Sequence, residues 1–168
     1  MSVLSDIAQH WRAPRATMRA RLAEGPREDR ALATVMGACM LIFVAELPGL
    51  ARAAHLDPSV PLDARLGGAL LALLFMVPLI LYVVAGASHV ILRLTGGRGT
   101  PYGARLALFS SLLAASPLML VQGMVKGLAG PGLLESLLGL MVLAGFLYLW
   151  VLAMAEVRLS HGNAKGAV

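Results

Sequence analysis

Apolar residues fall into four long blocks along this chain, each ended by a short cluster of charge, proline or glycine. The first runs from about Ala31 to Ala51; roughly 21 residues at 1.5 Å each reach about 31 Å, the thickness of a bilayer's hydrocarbon core. The second, from Leu66 to Leu92, is interrupted by Ser88 and His89 and is long enough to tilt. Pro78 near its middle predicts a kink. A third block from about Leu106 to Val125 contains Pro117, and a fourth runs from about Leu133 to Ala155. Proline-marked Arg52 to Arg65, glycine-rich Arg93 to Arg105 and the short Lys126 to Pro131 connect them. The pattern predicts an all-α polytopic bundle of four membrane-spanning helices.

Residues 1–30 follow a different pattern. Leu4, Ile7, Ala8 and Trp11 recur at helical spacing, and Pro14 separates them from a second short pattern, Met18 and Leu22. This predicts an amphipathic, arginine-rich lead lying on the headgroups, with Trp11 at the interface and Arg12, Arg15, Arg19 and Arg21 in contact with lipid. A solvated tail is the competing reading. After the last block, 156–168 reads as a polar tail.

Composition explains why a membrane is required. A chain of 168 residues with 58% hydrophobic content and mean hydropathy +0.78 carries more apolar surface than a soluble domain of that size can bury. The net charge of +5 raises nucleic acid as a partner. The basic residues are, however, split among separate polar segments, without interleaved aromatics, which argues against it. Lysine and arginine number six in 1–30, three in 93–105 and two in 156–168, against two in 52–65 and one in 126–131. The excess places both termini and the glycine loop in the cytoplasm. An arginine-, alanine-, leucine- and glycine-rich composition fits a GC-rich bacterial genome, hence the inner membrane. No removable signal peptide is expected, and the first span is read as an uncleaved anchor. Cys39 stands alone inside the first block, with no second thiol for a disulfide or metal.

Motifs for chemistry fail in detail. The stretch GGRGTPYG lacks the spacing and lysine of a phosphate-binding loop, and Tyr102 stands where a dinucleotide fingerprint wants glycine. No G-x-S-x-G or H-E-x-x-H occurs, and His10, His55, His89 and His161 lie in four different segments. The expectation is a protein without cofactor, metal or catalytic residues. Glu46 is the costliest residue inside a span and the candidate for proton or cation handling. The competing reading is an interfacial carboxylate paired or wetted near Arg52. His89, at the inner boundary, reads as a hydrogen-bonding or headgroup residue, and Glu135 as a helix-start charge. Packing is signalled by Ala107, Ser111 and Ala115, a small-residue stripe, with Ala33 and Gly37 or Gly68 and Ala72 as partner grooves.

Three stretches resemble the Yip-one (Ypt-interacting protein one) domain family as found in bacteria. WRAPRATMRARLAEGPREDRAL is similar to its arginine-rich lead, and SHVILRLTGGRGTPYGARLALFSS to its histidine, basic residue, double-glycine turn and aromatic helix entry. YLWVLAMAEVRLSHGN resembles the helix end that leads into a final span. The resemblance implies a helical membrane domain whose eukaryotic members bind small Rab-type GTPases in membrane traffic. Five spans are usual for the family, and the apolar blocks here number four. It brings no catalytic residue. The expected function is a non-enzymatic interaction or scaffold role, with the bilayer, a membrane-protein partner or a second copy as partners. The alternative is a small transporter or channel component using Glu46, with Pro48, Pro78 and Pro117 breaking helices around a path.

Overall fold

The computed structural model describes residues 3–159, with side chains from residue 7 onward. Residues 160–168 of the expected tail, and the side chain of Leu4, lie outside the described residues. Two short helices, α1 (Val3–Arg12) and α2 (Pro14–Ala23), precede α3 (Glu28–Leu56). The second span is built from α4 (Leu62–Leu71), a π-helical turn (Ala72–Met76) and α5 (Val77–Leu94). It is followed by α6 (Pro101–Ala129) and α7 (Leu133–Leu159). Four helices are thus long and apolar enough to cross a membrane, as the four blocks predict.

The helices outrun those blocks because backbone hydrogen bonding does not stop where hydrocarbon does. At 29 residues α3 is about 44 Å long, against a core of about 30 Å. Its first turn carries Glu28 and Asp29, which complement the positive end of the helix dipole. Pro78 acts through the turn before it. Its ring excludes the carbonyl four residues back and supplies no N–H, and the π turn over Ala72–Met76 is the widened ladder that absorbs this defect.

Helix α6 is the centre. Of its apolar stretch 67% is buried, against 11% in the second span, and it packs against α1, α3, α5 and α7. Every residue from Leu106 to Ser116 is buried. Ala107, Ser111 and Ala115 are fully enclosed within this buried stretch. Ser110, Ser111 and Ser116 donate to the carbonyls of Leu106, Ala107 and Leu113 at 2.6, 2.8 and 2.7 Å, so these buried hydroxyls leave no orphan polar group. The Ser116 bond matters most. Pro117 has no N–H to offer the Leu113 carbonyl, and the adjacent hydroxyl takes that role.

The tightest contact lies further along the same face, beyond the stripe that the spacing predicts. A Cβ added at Gly123 would sit 1.8 Å from the Ala45 carbonyl oxygen, and one at Gly127 2.3 Å from Pro48 Cβ. Gly123 and Gly127 form a G-x-x-x-G pair that extends the four-residue rhythm of Ser111 and Ala115, and α3 lies directly on it. The expected partner grooves are not used. A Cβ added at Gly37 or Gly68 would meet nothing within 4 Å, and Ala33 is exposed; α3 meets the centre through Ala38, Cys39, Ala45 and Pro48 instead. Leu71, Phe75, Leu79 and Val83 on the second span, and Leu137, Leu140 and Val151 on α7, are exposed and face the lipid.

Gly123→Leu is expected to cost about 2 kcal/mol or more by forcing α3 off the backbone of α6, whereas Gly37→Leu leaves stability unchanged. Thermal unfolding in mild detergent, followed by size-exclusion, reads the difference. Equal midpoints for the two variants would show that the α3–α6 approach is not tight.

Candidate functional site

At one end of the bundle, charges hold separate elements together. Glu156 near the end of α7 is 5% exposed, and a carboxylate so enclosed requires cationic partners. Arg19 of α2 supplies one at 3.1 Å and Arg15 a second at 4.0 Å, fastening the lead to α7. Arg105 in the first turns of α6 reaches Glu28 of α3 at 2.9 Å and lies 5.9 Å from the centre of the Tyr82 ring. Arg158 donates to the Thr95 carbonyl at 3.0 Å. Arg27 pairs with Asp29 and Arg30 with Glu24. Of the arginines expected to touch lipid, Arg15 and Arg19 are committed to Glu156, Arg21 is half-buried, and Arg12 is exposed. Glu156 is more than the start of a polar tail. An acid at the close of an apolar block, opposite an arginine-rich lead, is the sequence signal for such a clamp.

Trp11 occupies a different place from the headgroup position expected of it. Its Nε1–H donates to the Ala114 carbonyl at 2.8 Å, and its ring edge lies 3.1 Å from where a Cβ at Gly145 would stand. From Pro101 to Ala114 α6 rises about 20 Å, and from Ala114 to Lys126 about 18 Å, so the indole docks midway between the charged ends. Ile7 packs on Ala38, Leu112 and Leu113, and His10 is buried. The lead is therefore seated in the bundle, with α1 against α6 and α2 against α7. The amphipathic face that suggested a lipid-lying helix instead covers helices. Pro117 breaks the regular ladder beside the seat, one carbonyl from the acceptor of Trp11.

The opposite end holds Glu46. Its partner is Lys126 at 2.8 Å, and Arg52 instead donates to the carbonyls of Gly127 and Leu128 at 3.3 and 3.1 Å. That arginine caps the C-terminus of α6, where a cation meets the negative end of the dipole. The paired reading of Glu46 thus holds with a different cation. Both members are about two-fifths exposed and line a cavity of about 220 Å³ with Gln122 and Glu135, so Glu135 faces this cavity besides opening α7. In the adjoining loop, the Ser59 hydroxyl and amide donate to Asp57 at 2.6 and 3.1 Å, and Arg65 at 3.1 Å. These bonds, with Ser59 first, hold the Asp57 carboxyl below its ordinary range. Further inward, every α6 residue from Leu106 to Ser116 is buried and its serines bond to their own helix, so the described residues of this stretch provide no polar path across the bundle. The geometry does not favour transport through Glu46.

His89 lies at the arginine-rich end, as its position before Arg93 predicts. It borders a second cavity, of about 360 Å³, with Arg93, Arg98 and the loop from Gly97 to Pro101.

Two outcomes test these seats. Glu46→Gln is expected to lower stability by under about 1 kcal/mol, as for any half-exposed pair, and Glu156→Gln by distinctly more; unfolding in detergent ranks them, and the reverse order would contradict the Glu156 clamp. A photo-reactive phenylalanine analogue at position 11 is expected to cross-link within the chain to α6 or α7. Adducts with lipid alone would place the lead on the membrane surface.

Comparison with known proteins gives one family and nothing closer. No curated protein and no solved structure matches the chain. The profile of the Yip1 domain matches residues 8–168, which takes in α2 to α7, the glycine loop, most of the lead and the stretches that carried the resemblance. With a family match over nearly its whole length and four apolar helices packed about a buried face of small residues, this chain is a multi-pass membrane protein belonging to the Yip1 domain family.

Proposed function

We propose that this protein is a non-catalytic interaction protein of the bacterial inner membrane, working as a scaffold through its arginine-rich face. The observation that carries the reading is the layer of ion pairs at that end. Arg15, Arg19, Arg105 and Arg158 are used to fix the lead, α3, α7 and the glycine loop in one arrangement. A surface held in register by several cross-element bonds is preorganised for recognition, because little ordering entropy remains to be lost on binding. The excess of lysine and arginine at the same end supports a cytoplasmic orientation, with both termini on that side. The partner class is a membrane protein or a second copy of the chain, since the exposed faces of the second span and α7 are apolar along their length.

Topology is tested first. Reporter fusions after residues 60 and 129 are expected to read periplasmic, and a fusion after residue 99 cytoplasmic; the opposite pattern would invert the proposed face. Photo-cross-linking in living cells then tests the role. Probes replacing exposed Arg27 or Arg98 are expected to trap a discrete protein adduct, and a probe replacing Leu140 on the lipid face of α7 serves as reference. Absence of any adduct from the arginine-rich face, together with ion conductance by the purified protein in liposomes, would reject the scaffold reading.

A further inference from the structure

The cations of the arginine-rich end are not all spent. Glu24, Glu28, Asp29 and Glu156 are each engaged, by Arg30, Arg105, Arg27 and the Arg15–Arg19 pair respectively. Arg93 and Arg98 are left with no acid among the described residues, and both border the cavity of about 360 Å³. His89 borders it too, one turn before Arg93, and its Nδ1 is buried without a hydrogen-bond partner. Two uncompensated guanidinium groups around one concavity, with an imidazole ring on its wall, form an incomplete charge set, and an anion completes it.

We propose that this cavity is a binding site for the phosphate of an anionic lipid headgroup. Phosphate suits the donors, since two planar guanidinium forks can each bond different oxygens. The adjacent helix start, at Pro101, adds the positive end of the α6 dipole. The first half of the glycine turn does not act as the cradle. The amides of Thr95, Gly96 and Gly97 are consumed by the carbonyls of Ile91, Arg93 and Leu92, and Gly97 and Gly99 serve close packing on Leu92 and Val157. Recognition therefore rests on the arginine side chains, beside the turn's second half from Arg98 to Thr100, which lines the cavity. Lipid is favoured over a soluble phosphate by what surrounds the cavity. Val90, Ile91 and Leu94 on the same stretch of α5 are exposed, Leu94 by 82%, and offer acyl chains a surface directly beside the headgroup site. The inference is independent of the scaffold reading, because it needs no protein partner.

The test uses the full chain released from nanodiscs of phosphatidylethanolamine and phosphatidylglycerol, with retained lipid read by native mass spectrometry. Wild type is expected to retain phosphatidylglycerol in preference to phosphatidylethanolamine. The Arg93→Gln/Arg98→Gln variant is expected to lose that preference by roughly thirtyfold, given the contribution of each basic residue near anionic lipid. Arg27→Gln/Arg30→Gln removes the same charge from the same end outside the cavity and is expected to keep it. Equal loss in both double variants would overturn the site in favour of diffuse attraction, and so would wild type retaining both lipids alike, a result that needs no variant to fold. Inorganic phosphate displacing phosphatidylglycerol at millimolar-order concentration, about that of a weak soluble-ligand site, would overturn the lipid assignment.

Discussion

Lipid removes the usual reason for helices to associate. Apolar side chains gain nothing by leaving hydrocarbon for one another, so contact between spans rests on close packing and on polar groups that have no other partner. Helix α6 meets both conditions, and the rest of the fold is arranged around it. Gly123 and Gly127 let the backbone of α3 come within reach of α6's own, and the contact at Ala45 tolerates no added carbon. The second span and α7 are then free to spend most of their surface on lipid, which their exposed leucines, valines and isoleucines do.

Packing of that kind fixes distances but resists sliding only weakly, because a regular small-residue face looks much the same one turn along. The charged groups at the two ends supply the missing register. Glu46 with Lys126, and Arg52 on the last carbonyls of α6, set α3 against α6 at one end; Arg105 with Glu28 sets the same pair at the other. A shift by a single turn, about 5.4 Å, would break all of them together. Exposed pairs contribute little stability individually, and their value here is in selecting one alignment among several of similar packing energy.

The architecture is legible in the sequence because hydrocarbon thickness imposes a block length that hydropathy displays directly. Pro78 and Pro117 are legible as defects, although the π turn that answers the first and the Ser116 hydroxyl that answers the second are local repairs visible only in three dimensions. The seat of the lead is not legible. Amphipathicity reports that one face of α1 is apolar; it carries no information on whether lipid or helices cover that face, and Trp11 suits either. The partner of Glu46 is hidden for a similar reason. Arg52 is near in sequence, but helix geometry turns it toward the end of α6, while Lys126 arrives from a distant segment. Gly123 and Gly127 are within reach of sequence reasoning, by extending the four-residue spacing past Ala115.

The hydrogen bond from Trp11 to Ala114 also sets an order of assembly. These residues are 103 positions apart, and Gly145, which accepts the indole edge, is further still. The lead leaves the ribosome before the spans, yet the groove that receives it is complete only when α7 has been made, roughly ten seconds later at common synthesis rates. Throughout that interval an arginine-rich amphipathic segment is exposed beside a growing set of spans. A segment synthesised before all four spans is the last to reach its place, and insertion of α7 is the event that completes its seat.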